Sequence, residues 1–185
     1  MEIVYYFSLL FFMLEFILMI VKRSKNKETK LKKDKLSLLL LWITITLGIT
    51  AGFFNANYKE WNNWNYSITI TGLCILILGI IIRWISIIQL NKEFTVDVSI
   101  TANHKLYTKG MYKYIRHPSY LGLLIICFGL SIAMNSIISL IVITIPVFLS
   151  IIYRINVEEK VLINEFGDAY KNYMKKTNKI IPKLY

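Results

Sequence analysis

Apolar residues in this chain come in long uninterrupted runs parted by short polar stretches, unlike the alternation of a soluble fold. Ile3 to Val21 is the first run, nineteen residues with Glu15 as their only charge. Leu36 to Phe54 is the second, and Ile68 to Leu90 the third, interrupted only by Arg83. Each is long enough for a helix to cross roughly 30 Å of hydrocarbon. Leu121 to Met134 and Ile137 to Tyr153 follow, fourteen and seventeen residues long, with only Asn135-Ser136 between them. So short a link makes a turn and not a domain. The pair therefore reads as a tight helical hairpin whose first helix begins among the lipid headgroups. Pro118 suits the first turn of that helix, where its missing N–H costs nothing. Pro146 should bend the second helix and free a backbone carbonyl. The pattern predicts an all-α integral membrane protein with five transmembrane helices and a polar, helical C-terminal segment.

The polar stretches carry their own signals. Phe94 to Ile100 alternates apolar and polar residues, as an extended segment does. Thr101 to Lys109 reads as a loop, and Gly110 permits a turn before Tyr112. From Arg154 the chain turns polar and stays helical, with Leu162 and Phe166 on one face and Gly167 as a C-cap. Asp168 to Met174 reads as a second short helix carrying Tyr170 and Tyr173, and Pro182 closes the pattern.

Charge sets the orientation. The net charge of +11 invites a nucleic-acid partner, but its distribution argues against one. Lys22 to Lys35 holds eight Lys/Arg against Glu28 and Asp34, and the 91–118 and C-terminal segments are basic as well. All three flank apolar runs, so the positive-inside rule accounts for them and puts them in the cytoplasm. The 55–67 loop, with Trp61, Trp64 and Tyr66 nearby and almost no net charge, falls outside, as does the N-terminus. The first run lacks a basic leader and a small-residue cleavage site, so it reads as a span and not a signal peptide. The expected membrane is the plasma membrane. Residues 1–90 read as three spans with a basic loop, and 91–185 as the functional core, together one structural unit. Cys74 and Cys127 sit in separate apolar runs, and the chain has only two histidines, so no metal site is expected. Glu15 reads as an interior hydrogen-bonding residue. Arg83, about two turns from the end of its run, reads as snorkelling to the interface.

The candidate chemistry lies at one mouth of the hairpin. Antiparallel helices joined by so short a turn bring Arg116-His117-Pro118 beside Arg154, Glu158 and Glu159. Arg154 and Glu158 are four residues apart and share a face. The plainest account is a charged, headgroup-facing rim with a surface ion pair of small energetic weight.

The motifs point further. Phe94-Thr-Val, then His104-Lys-Leu-Tyr-Thr-Lys-Gly110-Met-Tyr112, then Arg116-His-Pro-Ser-Tyr-Leu-Gly122 resemble the isoprenylcysteine carboxyl methyltransferase family. So do Glu158-Glu159, Leu162, Phe166-Gly167, Tyr170 and Tyr173 in that spacing, with the closing Pro182. The resemblance runs from about residue 91 to the end and implies a methyltransferase using S-adenosylmethionine. It implies cofactor contacts at His104, Lys105, Leu106, Tyr107, Tyr112, His117, Pro118, Ser119, Tyr120 and Glu158, and an acceptor-orienting role for Arg154. Met111 stands where the family often has proline. Lys176 and Lys179 stand where arginine is commoner, keeping the charge without a bidentate fork.

The residue types fit this chemistry. Glu158 can accept from an ammonium, and His117 or backbone N–H groups can donate to a carboxylate. Leu106 and the tyrosines can cover adenine, and a tyrosine face attracts a sulfonium. The expected acceptor is a lipid or prenylated molecule bearing a carboxylate, which needs no general base. A hydroxyl acceptor would need one, and Glu159 or a histidine would have to serve. Phospholipid N- or O-methylation, a sterol-type NADPH-dependent reductase and a non-catalytic membrane protein are the alternative readings.

Overall fold

The computed structural model describes residues 2–22, 32–57, 65–90 and 106–181. Six α-helices run through them: α1 (Glu2–Val21), α2 (Lys32–Ala56), α3 (Tyr66–Leu90), α4 (Pro118–Ala133), α5 (Ile137–Phe166) and α6 (Asp168–Lys176). A 3-10 turn, Gly110–Lys113, precedes α4. Among the described residues, α1, α2, α3 and α5 are long and apolar enough to cross a membrane, and α4 is a shorter apolar helix of 16 residues. The alternating segment at Phe94 to Ile100 lies outside the described residues.

Glycine spacing explains which helices meet most closely. Gly72 and Gly79 on α3 face Gly122 and Gly129 on α4, both pairs seven residues apart. A Cβ at Gly72 would lie 2.3 Å from the Ala133 nitrogen, and one at Gly129 2.4 Å from the Leu76 nitrogen. Seven residues is two helical turns, so each pair recurs along one narrow seam, and backbones touch where side chains would hold them apart. α4 also packs on α5, α5 on α2, and α1 rests against α3 and α4. The buried positions of α1 are Val4, Ser8, Phe11, Glu15 and Leu18, a single stripe at 3- and 4-residue steps.

The hairpin forms as expected. Asn135 adopts a left-handed conformation (φ 55°), which asparagine tolerates, and Ser136 caps α5 by accepting from the Ser139 N–H at 3.2 Å. Pro118 is the first residue of α4. α5 is one continuous 30-residue helix that runs through Pro146 and past the apolar stretch 137–153. At 1.5 Å per residue it is about 45 Å long, so its last turns stand beyond a roughly 30 Å hydrocarbon layer. Pro146 cannot donate to the Val142 carbonyl, and that oxygen lies 3.3 Å from where a Gly48 Cβ would be.

One expectation is overturned. Arg83 does not snorkel: it is 8% exposed and clasps Glu15 with both Nε and Nη2, the latter at 2.7 Å from Oε2. A guanidinium facing a carboxylate at membrane depth gains more from a bidentate pair than from stretching toward headgroups. Glu15 is accordingly an interior residue, as the pattern indicated.

Candidate active site

The first wall of the site is the approach to α4. Gly110 takes φ 59°, and a Cβ there would sit 2.5 Å from the Gln89 Oε1, which instead accepts from the Met111 N–H at 3.0 Å. The turn buries Tyr112, whose hydroxyl donates 3.3 Å to the Ser86 carbonyl, while Tyr107 meets its ring edge-on. Tyr173 of α6 donates 2.5 Å to the Tyr112 carbonyl. Burial foremost raises the Tyr112 hydroxyl well above the ordinary range, with the Glu158 charge adding to it, and it pushes Tyr173 up to about 12. Both therefore remain protonated donors at neutral pH.

The C-terminal segment is sewn to this wall. Ile115 and Asn178 form a parallel bridge, with the Arg116 N–H donating 2.9 Å to the Asn178 carbonyl and the His117 N–H 3.2 Å to that of Lys179. Arg116 adds side-chain bonds to the Thr177 and Met174 carbonyls. At the centre sits Glu159 on the solvent-side extension of α5. Its Oε1 accepts from Arg116 Nε at 2.8 Å and faces His117 Nε2 at 3.2 Å, while Lys179 Nζ lies 3.6 Å from Oε2. Burial opposes ionisation, but the hydrogen bonds and charges of His117 and Arg116 outweigh it and hold the carboxyl at about 2. So tightly held an anion is a poor proton acceptor. Glu159 thus joins α5 to the approach to α4 and to the tail.

The second wall centres on Arg154, which is 1% exposed and no rim residue. Its Nη1 donates 2.7 Å to the Ser37 Oγ of α2, and its Nε 3.2 Å to the Tyr120 hydroxyl. The Glu158 carboxylate lies within electrostatic reach of the Tyr120 hydroxyl. A polar chain thus runs from α2 through Arg154 to Tyr120, with Glu158 one turn beyond Arg154 on α5. Nothing in the sequence singles out Ser37, because a lone serine in an apolar run is ordinary. Tyr170 is 1% exposed and its hydroxyl has no hydrogen-bond partner. Burial first, then the Glu159 and Glu158 charges, hold that hydroxyl protonated.

Of the expected site residues, Tyr112, His117, Pro118, Ser119, Tyr120, Arg154, Glu158 and Glu159 converge on this mouth. Leu106 and Tyr107 lie half-buried at its edge. His104 and Lys105 fall outside the described residues. The His117 ring is buried and turned to Glu159 through Nε2, so Nδ1 is what it can offer a ligand. Lys179 makes a point contact with Glu159 and a 3.0 Å bond to Asn156 Oδ1, with no fork, as a lysine must.

Fold and site together define a multi-pass membrane protein with a polar, tyrosine-lined mouth at one end of a helical hairpin. The profile of the phospholipid methyltransferase family matches residues 67–169, and the chain belongs to that family. Protein-S-isoprenylcysteine O-methyltransferase of Schizosaccharomyces pombe is 33% identical over 60% of this chain and 48% of its own length. Protein-S-isoprenylcysteine O-methyltransferase B of Arabidopsis thaliana is 35% identical over 60% of this chain and 57% of its own. The chain thus spans about half the length of these relatives. The solved structure of a eukaryotic intramembrane Ras methyltransferase, isoprenylcysteine carboxyl methyltransferase, superposes with a TM-score of 0.60 at 26% identity, covering 81% of this chain and 52% of that one. The resemblance carried by the motifs agrees with these matches.

Proposed function

We propose that this protein is an S-adenosylmethionine-dependent methyltransferase acting on the carboxylate of a lipid-like, isoprenylcysteine-type acceptor at the cytoplasmic membrane face. The observation that carries the reading is the buried Arg154 at the mouth, held by Ser37 and Tyr120 one helical turn from Glu158. The names of the relatives supply the reaction class. The residues present fit the cofactor: Glu158 suits its ammonium, tyrosine faces suit a sulfonium, and the unpaired Tyr170 hydroxyl is a donor awaiting a partner. When bound, the cofactor supplies a methyl group activated on sulfur.

The chain's own residues do the rest by positioning. Arg154, immobilised by Ser37 and Tyr120, turns toward an acceptor carboxylate and orients it without accepting a proton. Tyr120, bonded to Arg154 and within reach of the Glu158 charge, stands between the acceptor side and the cofactor side. Holding reactants in line can supply about 7–11 kcal/mol of the barrier. Glu159, Arg116 and His117 keep the tail closed over the mouth and water out. A second reading, N-methylation of a phospholipid amine, draws on the family's description. A buried guanidinium disfavours it, since it repels an ammonium and cannot take its proton.

The same proposal gives five spans, with α4 crossing from the headgroup region, the N-terminus outside and the C-terminus cytoplasmic in the plasma membrane. The three basic segments support that orientation. Calorimetry on the purified protein in detergent tests the cofactor: S-adenosylmethionine or its demethylated product binds, and Glu158→Ala loses that binding. Absence of binding at millimolar ligand sinks the reading. Incubation of membranes with labelled methyl donor then identifies the acceptor, with a base-labile methyl ester expected and a base-stable N-methyl group favouring the second reading.

A further inference from the structure

Glu15 and Arg83 are buried charges at membrane depth that the proposed chemistry leaves unused. Arg83 divides its guanidinium between two partners. Nε and Nη2 meet the two Glu15 oxygens, and Nη1 donates 3.0 Å to the Ser119 carbonyl. This third contact depends on Gly122: a Cβ there would lie 2.6 Å from the Arg83 nitrogen, so only glycine lets α3 and α4 approach closely enough. A pair serving only to dock α1 on α3 needs no bond to α4. Ser119 is the second residue of α4, between His117, which faces Glu159, and Tyr120, which accepts from Arg154.

Toward the mouth the apolar packing of α1 is interrupted. Just beyond Glu15, Leu18 and Val21 face Trp84, Ile87 and Ile88 across an apolar cavity of about 360 Å³. Glu15 is also the only charged residue among α1's buried positions. The ion pair is therefore the polar tie that fixes α1 against α3 at the level of the site, beside the buried Leu18.

We propose that Glu15 and Arg83 form a positioning device for the candidate site. Glu15 orients Arg83, and Arg83 holds the Ser119 carbonyl and with it the first turn of α4. The seating of α1 in the membrane is thereby transmitted to the register of His117 and Tyr120 through one hydrogen bond. Its consequence for cofactor binding rests on the function proposed above, whereas its consequence for the α4 backbone does not.

The double variant Glu15→Leu/Arg83→Leu separates the two roles of the pair. Replacing a buried ion pair by apolar residues removes both charges together and is often neutral for stability, so the fold is retained. Amide hydrogen exchange in residues 119–123 is expected to be about tenfold faster than in the unaltered protein, with residues 126–133 unchanged. Binding of S-adenosylmethionine, by calorimetry, is expected to weaken about tenfold, while turnover at saturating donor falls much less. Arg83→Lys, which keeps a cation for Glu15 but has no fork, should move both readouts in the same direction. Unchanged exchange in the first turn of α4 overturns the proposal. Faster exchange with unaltered donor affinity overturns the link to the site. If the unaltered protein binds no S-adenosylmethionine, the functional reading falls, and the exchange result alone decides whether the pair positions α4.

Discussion

Two buried carboxylates, each gripped by an arginine, hold this molecule at two levels. Glu15 lies at membrane depth and, among the described residues, pairs with Arg83 in a bidentate contact between α1 and α3. Glu159 lies on the solvent-side extension of α5 and gathers Arg116, His117 and Lys179 from segments on either side of it. The chemistry is the same and the solvent is not. In hydrocarbon a lone carboxylate has nowhere to discharge its desolvation cost, so one saturated partner is the stable arrangement. Near water, several partners can share one anion, because each remains partly solvated when a contact loosens. The interior pair therefore acts as a joint between helices, and the mouth cluster as a clasp for a chain segment.

That contrast can be broken most forcefully from inside. Arg83→Ala leaves Glu15 buried and unpaired, and is expected to cost about 3–5 kcal/mol, seen as lost expression or a large fall in thermal midpoint in detergent. The corresponding change at the mouth, Arg116→Ala, should leave the helical fold intact but release the tail. Limited proteolysis between residues 174 and 181 reports that release, and methyl transfer should fall by about a hundredfold. Equal destabilisation by the two changes would erase the distinction.

A smaller effect separates the clasp from the catalytic wall. Arg154→Ala is expected to reduce acceptor use by about a hundredfold with cofactor affinity nearly kept, since Glu158 remains. Equal loss of both would count against the division between acceptor and cofactor sides.

Acid tests the clasp by itself. The Glu159 carboxyl is held at about 2 against an ordinary value of 4.5, so its contribution to stability is complete above 4.5 and is lost as pH falls toward 2. Thermal midpoints measured across that range should drop in the unaltered protein and drop less in Glu159→Gln. The smallest effect is expected at Tyr170. Its hydroxyl is buried without a partner, so Tyr170→Phe should leave the ligand-free protein as stable or slightly more so, by about 1 kcal/mol. The same change should reduce the stabilisation that S-adenosylmethionine confers, a reversal of sign that a purely structural tyrosine would not show.

Much of the architecture is local and was legible along the chain. Run length determined the long helices, Asn135-Ser136 the hairpin, Pro118 the start of α4 and Gly167 the end of α5, because each depends on neighbours within a turn or two. The hairpin also sufficed to bring His117 toward Arg154 and Glu158, since two antiparallel helices with so short a link have no other way to close. What the pattern did not decide is where long charged side chains go. Arg83 could reach headgroups or turn inward, and only the approach of α4 at Gly122 and the seat of Glu15 on α1 made the inward choice favourable. The bonds that join Glu159 to Arg116 and His117, 43 and 42 residues away, were not legible either. Ser37, some 117 residues from Arg154, and the bridge between Ile115 and Asn178 leave no local trace at all. Local pattern determined the helices and their order, because backbone hydrogen bonds in lipid must be satisfied within each segment. Tertiary structure alone decided which charge meets which, because a buried ion pair exists only where both partners have already been carried out of water together.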